Sequence, residues 1–227
     1  MTTTPTVLIT GCDIGIGREF ARQYHADGWS VIATFRDLAN AGDLAEGMGR
    51  FQLDVTEPAQ FEALKKNIGD TPIDLLVSNA GIGLDIRKLG DLDYDYVRRM
   101  LEVNTVGPLR LVDTFRDNVA ASRHRRIVAV TSRMGSIALN LSGGHYGYRS
   151  SKAGLNAIMH SLAIDLFPRG ITVVMIHPGW VDTAGGGAEQ AAVPVEESVA
   201  SMRKFVSRLG SHETGQLFDY KGIPLPW

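Results

Sequence analysis

The sequence predicts an α/β fold: one doubly wound parallel sheet of about seven strands, with helices on both faces. Two observations carry this. Short β-branched apolar runs alternate with helix-like stretches along the whole chain, the order that strand–helix–strand units leave in a sequence. The first of these runs passes straight into a glycine-rich loop and then a helix. No linker, repeat or low-complexity segment divides the chain, so residues 1–227 are expected to form a single domain.

Thr6 to Thr10 reads as a buried strand. Gly11-Cys12-Asp13-Ile14-Gly15-Ile16-Gly17 follows and leads into a helical stretch from Arg18. Strand, glycine loop and helix in this order build a phosphate-binding element: the glycines let backbone N–H groups approach a pyrophosphate, and the helix N-terminus adds a favourable dipole. The bland alternative is a glycine-rich turn with no ligand. Trp29 to Thr34 is a second strand with Phe35-Arg36-Asp37 at its tip. In a dinucleotide-binding fold that tip meets the adenosine ribose, and the Arg36 guanidinium suits a 2′-phosphate. Asp13 and Asp37 lie close by and oppose it.

Phe51 to Val55 reads as a third strand, with Asp54 able to cap the helix of Ala59 to Ile68. Ile73 to Ser78 is a fourth strand running into Asn79-Ala80-Gly81, small residues that let backbone lie close to a ribose. Ile82 to Leu92 is an irregular rim. Tyr94 to Ala121 reads as one long helix, interrupted by Asn104 and by Gly107-Pro108, where the proline removes a backbone hydrogen bond and frees a carbonyl. Arg126 to Thr131 is a fifth strand, followed by Ser132-Arg133-Met134-Gly135-Ser136. Tyr148 opens a helix reaching about Leu166, which Pro168-Arg169-Gly170 stops. Ile171 to Ile176 is a sixth strand leading to His177-Pro178-Gly179-Trp180-Val181-Asp182-Thr183. Ala184 to Pro194, rich in Gly and Ala and without periodicity, suits a mobile lid. Glu196 to Leu209 is the last helix and Gly215 to Tyr220 a seventh strand.

Tyr148 and Lys152 stand four residues apart on their helix and so share a face. Free tyrosine titrates near pH ~10, and an ammonium beside it favours the phenolate and pulls that value toward neutral proton transfer. Such a pair can give a proton to a carbonyl oxygen or take one from an alcohol. Alone it is a weak signal, since ordinary helices carry such pairs by chance.

Composition narrows the partners. With 44% apolar residues and a net charge of −2, nothing electrostatic points to nucleic acid or an anionic membrane. The Arg123-His124-Arg125-Arg126 run is expected in a solvated loop before its strand. The single cysteine, Cys12, excludes an internal disulfide and suits a reducing compartment. Met1 to Thr6 is polar and no apolar run approaches the ~20 residues that cross a bilayer, so a cytoplasmic location is expected. The scattered histidines give no metal-ligand spacing, and no metal site is expected.

Thr10-Gly11-x-x-x-Gly15-Ile16-Gly17, Asn79-Ala80-Gly81, Ser132-x-x-Gly135-Ser136, Tyr148-Arg149-x-Ser151-Lys152 and Pro178-Gly179-Trp180-Val181-Asp182-Thr183 together resemble the short-chain dehydrogenase/reductase family. The ending from Asp219-Tyr220-Lys221-Gly222 to Trp227 and His177-Pro178-Gly179-Trp180-Val181 look closest to its C-factor/sniffer-like carbonyl reductase branch. The resemblance implies a Rossmann-type domain and an oxidoreductase that moves a hydride between NADPH and the carbonyl of a small aldehyde or ketone, reversibly. The alternative is a cofactor-binding signalling or regulatory protein with little turnover.

It also implies roles. Tyr148 is the proton donor, Lys152 its tuner and a ribose ligand, Ser132 the group that holds the carbonyl, and Asn104 the support of a water relay. Gly11, Asp13, Ile14, Gly15, Ile16 and Gly17 form the cofactor loop. Phe35 stands where NAD-preferring members carry an acid, and Arg36 follows, so NADP is expected, with NAD as the second choice. Ile14 replaces the basic residue of many NADP-binding members. Asp54 and Val55 are expected at the adenine, Asn79, Ala80 and Gly81 beside the cofactor, and Pro178, Gly179, Val181 and Thr183 at the nicotinamide carboxamide. The Ser132–Tyr148 interval of sixteen is longer than the family's usual one, so Ser136 is a rival to Ser132 and the Asn140–Tyr146 loop the expected insertion. Members commonly pair through the helices of Asn104 and Tyr148, so a homodimer or tetramer is expected.

Overall fold

The computed structural model describes residues 4–42, 44, 46–83, 87–181 and 193–227. Seven parallel strands form one sheet: β1 (Thr6–Ile9), β2 (Ser30–Phe35), β3 (Gly49–Gln52), β4 (Leu75–Ser78), β5 (Arg126–Val130), β6 (Thr172–His177) and β7 (Leu217–Asp219). Their order is β3-β2-β1-β4-β5-β6-β7. The register places Val7 opposite Val31 and Ile9 opposite Val77. Chain order reverses between β1 and β4, so the loops leaving their C-terminal ends diverge and open a crevice there.

Alternation along each strand divides the core. Val7, Ile9, Val77, Val128 and Val174 face α1 (Gly15–Ala26) and α6 (Val195–Val206), where Phe20, Tyr24, Met202 and Phe205 are buried. Leu8, Leu76, Ile127, Ala129 and Val173 face α2 (Pro58–Ile68), α4 (Gly107–Ala120) and α5 (Tyr146–Leu166), against Phe61, Phe115, Leu155 and Met159. Both faces are covered, as a parallel sheet requires, and the Rossmann-type doubly wound expectation holds.

Several boundaries differ from the sequence reading, and three of them bear on the site. β3 ends at Gln52, not Val55, because its partner β2 ends at Phe35; after Leu53 N–H reaches the Phe35 carbonyl at 2.7 Å, no strand remains to pair with. The single long helix is two, α3 (Tyr94–Leu101) and α4, joined by a π-helical turn at Glu102–Val106. α5 begins at Tyr146, one half-turn before Tyr148. Among the described residues, no helix is long and apolar enough to cross a membrane. Thr183 and residues 184–192 of the expected lid lie outside the described residues.

Candidate active site

The crevice between β1 and β4 is a cleft of about 440 Å³. One end is the glycine loop. Gly11 has φ 72°, and a Cβ there would lie 2.8 Å from the Ala80 Cα, so only glycine lets the β1 and β4 loops close together. A Cβ on Gly17 would lie 2.2 Å from the Gly11 carbonyl oxygen and 2.4 Å from Asn79 Nδ2. Asn79 is the clamp: its Nδ2 donates to the carbonyls of Thr10 and Gly11 at 2.9 and 3.1 Å. Thr10 returns the contact, its hydroxyl oxygen accepting from the N–H groups of Asn79 and Ala80. Gly11, Asp13, Ile14, Gly15 and Ile16 line the cleft with Asn79, Ala80 and Gly81; Gly17 stands behind them.

Arg36 and Asn40 line the cleft beyond the tip of β2, with Leu53, Asp54 and Val55 opposite. Asp54 does not cap α2. Its Oδ1 accepts from the Thr56 N–H at 2.9 Å and hydroxyl at 2.8 Å, a local turn that ends before the Glu57 N-cap.

Tyr148, Lys152 and Pro178 line the other end. Ser132 lies beside Tyr148 and favours its phenolate, while its hydroxyl oxygen accepts from the Met134 N–H at 3.1 Å. Ser136, the rival, is buried and accepts from the Leu139 N–H at 3.2 Å. Lys152 is almost wholly buried and its ammonium donates to the Val130 carbonyl at 3.0 Å. Gly81 leaves the space above it: a Cβ there would lie 3.7 Å from Lys152 Nζ and 3.1 Å from Asn104 Oδ1.

Asn104 sits in the π-helical turn and is fully buried. Its Oδ1 accepts from the Ile82 N–H at 2.9 Å, and its Nδ2 donates to the Ile82 carbonyl at 3.1 Å and to Ser151 Oγ at 3.0 Å. Pro108 has no N–H to give the Asn104 carbonyl four residues before it. Ser151 Oγ donates onward to the Tyr148 carbonyl at 2.9 Å.

Burial sets the electrostatics. It pulls the Lys152 pKa down to about 8. It also pushes Tyr148 up, with neighbouring Ser132 opposing it. This departs from the expectation that Lys152 lowers Tyr148: the ammonium lies 5.9 Å from the ring centroid and is directed at Val130 instead. His177 is lowered to about 4 by burial, then by Arg133, so it is neutral at pH 7.

Gly179, with φ 87°, packs against the Tyr220 ring, and buried Val181 bridges to Val193; both lie outside the cleft lining. The sequence reading missed Asn156, which accepts from the Thr131 hydroxyl at 2.7 Å and donates to the Gly135 carbonyl at 3.3 Å, tying the Ser132 turn to α5. Its position four after Lys152 was the available signal. Ser151 and Thr10 were also missed as supports.

A nicotinamide dinucleotide fits this donor set. The glycine cradle that a Cβ would fill sits at one end, with the start of α1, and a buried cation at the other. Among the described residues, no group of three or more His, Cys, Asp or Glu side chains could hold a metal ion.

The short chain dehydrogenase family model matches residues 5–193. C-signal of Myxococcus xanthus is 41% identical over 167 residues, spanning 74% of this chain and all of that protein. The carbonyl reductase Sniffer of D. melanogaster superposes with a TM-score of 0.91 at 28% identity, over 99% of this chain and 100% of that one. An NADPH-bound carbonyl reductase from chicken fatty liver gives 0.89 at 28% identity, with both chains covered completely. The chain belongs to the short-chain dehydrogenase/reductase family and falls in its carbonyl reductase branch.

Proposed function

We propose that the protein reduces the carbonyl of a small aldehyde or ketone with NADPH, and oxidises the alcohol in reverse. The observation that carries this is Tyr148 beside Ser132, with buried Lys152 one helical turn on, at the end of a cleft that begins at the glycine loop. Bound NADPH supplies the hydride. Ser132 holds and polarises the carbonyl oxygen. Tyr148 gives that oxygen its proton as charge develops there. Lys152, near 8, stays largely an ammonium at neutral pH and holds the nicotinamide ribose. The Asn104 carbonyl, without a donor from Pro108, anchors a water that relays protons from Lys152. Arg36 supports NADP over NAD: it is exposed, lines the cleft, and follows buried Phe35, which offers no acid to a ribose hydroxyl. The NADPH-bound chicken neighbour agrees.

Tyr148→Phe should lower turnover by ~10²–10⁴ while NADPH binding persists. Steady-state NADPH oxidation against a panel of aldehydes, ketones and quinones checks this; retention of more than about a tenth of the wild-type rate ends the assignment.

The likeness to C-signal favours a second reading, a cofactor-binding signalling protein with little turnover. NADPH binding without oxidation across the whole panel would select it. Exposed Leu101, Val106, Leu109, Ile164 and Phe167 on α3, α4, the turn between them and the end of α5 support a homo-oligomer formed through these helices. A cytoplasmic setting belongs to the same proposal, since buried Cys12 is the only thiol.

A further inference from the structure

The tip of β2 forms an anion-binding nest that the chain fills with its own side chain. The N–H groups of Arg36 and Asp37 donate to the Asp13 carboxylate at 3.1 and 3.3 Å, and the Asn40 amide adds a third donor at 3.0 Å. Asp13 belongs to the glycine loop, so it joins the β1–α1 turn to the strand tip. Arg18 doubles that bridge, its guanidinium donating to the carbonyls of Asp13 and Asn40 at 3.2 and 2.9 Å. Successive backbone N–H groups with an amide beside them form the kind of concavity that holds phosphate oxygens. Asp13, Arg36 and Asn40 all line the cleft. The Arg36 guanidinium has no hydrogen-bond or ion-pair partner among the described residues.

The consequences for the two nicotinamide cofactors are opposite. A 2′-phosphate brought to Arg36 gains the guanidinium, yet finds the N–H donors taken and a like charge beside them. A free 2′-hydroxyl can donate to that carboxylate, as it does to an acid at the end of β2 in chains that carry one. Here Phe35 and Arg36 offer no such acid, and the glycine loop delivers it instead. We propose that Asp13 is a specificity-determining residue that limits this chain's preference for NADPH and admits NADH to the same site. The inference rests on the cleft being a nicotinamide-dinucleotide site, and it assigns the discrimination within it.

The test is calorimetric titration of the full chain with 2′,5′-ADP and 5′-AMP, which differ only in the 2′-phosphate and undergo no turnover. Wild type should favour 2′,5′-ADP by less than about tenfold. Asp13→Asn keeps an acceptor for the nest while removing the charge, and should raise that ratio about fivefold or more. Asp13→Ser, shorter, should raise it in the same direction, and Arg36→Gln should lower it below wild type. Each ratio compares two ligands on one folded population, so partial unfolding of a variant cancels. A wild-type ratio beyond about tenfold, or a ratio unchanged in both Asp13 variants, overturns the proposal. If neither nucleotide binds wild type, the cofactor reading falls with it; if both bind and only the ratio is unmoved, this inference alone falls.

Discussion

The two ends of the cleft are held together in different ways. Around Tyr148 the supporting polar groups are buried and tied to backbone: Asn104 to Ile82, Lys152 to Val130, Asn156 to Gly135. Around Asp13 the contacts are just as numerous to the eye but lie at the surface, among Arg36, Asp37 and Asn40. Breaking a buried hydrogen bond and stranding its partner costs about 1–3 kcal/mol. An exposed pair is worth about 0–1 kcal/mol and is screened by salt. The end that positions the proton donor is therefore over-determined, while the end that meets the ribose can be retuned by a single side chain.

The largest break in that contrast should come from Lys152→Met, which keeps much of the apolar stem and removes the ammonium. Turnover should fall by ~10² or more. The pH dependence of stability gives an independent reading. Burial has moved Lys152 from its ordinary 10.5 to about 8. Between those values the unfolded chain holds a proton that the folded chain has released, so this residue makes stability rise with pH across the window. Below about 8 the lysine is charged in both states and the full cost of burying it remains. Cys12 and Tyr24, each pushed to about 12 by burial, act with the opposite sign at high pH but are common to both proteins. The stability of wild type minus that of the variant, from urea melts at pH 7, 8, 9 and 10, should climb. A flat difference would mean that the ammonium is not buried as described.

Next in size is Asn104→Leu, similar in volume and unable to hydrogen-bond. It leaves both polar groups of Ile82 and the Ser151 hydroxyl without their partner. Stability should fall by about 2 kcal/mol or more, read as a lower urea midpoint at unchanged slope. A loss near zero would show that the π-helical turn holds its shape without this residue.

How much of this the sequence could show follows the same division. Strand order along the chain, the glycine loop and the Tyr148–Lys152 face all rest on local periodicity and residue type, and they stand where expected. The end of the third strand does not, because β3 stops where β2 stops, and pairing length is a property of two segments. The kink at Gly107-Pro108 was legible as a lost hydrogen bond, but not its resolution into a π-helical turn at Glu102–Val106. That outcome depends on Asn104 finding Ile82, 22 residues away. The direction of the Tyr148 shift was misjudged for a related reason. Proximity of a lysine is visible in spacing, whereas burial and the competing Val130 carbonyl appear only once β5 lies beneath α5. At the other end, Asp13 was recognisable as a nearby acid, but its occupation of the Arg36–Asp37 backbone was not.

The smallest expected effect is the sharpest check on whether burial, not position along the cleft, sets these values. Arg149 neighbours Tyr148 directly, yet its contacts are exposed: Nη2 donates to Ser142 Oγ at 3.0 Å and Nε to the Gly143 carbonyl at 3.3 Å. These brace the longer Asn140–Tyr146 loop, which absorbs its length through left-handed backbone at Gly143, Gly144 and His145, with φ of 65°, 66° and 48°. Glycine carries most of that conformation without a side chain's help. Arg149→Gln should therefore change stability by less than about 0.5 kcal/mol and kcat by less than about twofold. A loss matching that of the Asn104 variant would show that the loop, not the buried network, holds Tyr148 in place, and the contrast between the two ends would have to be redrawn around it.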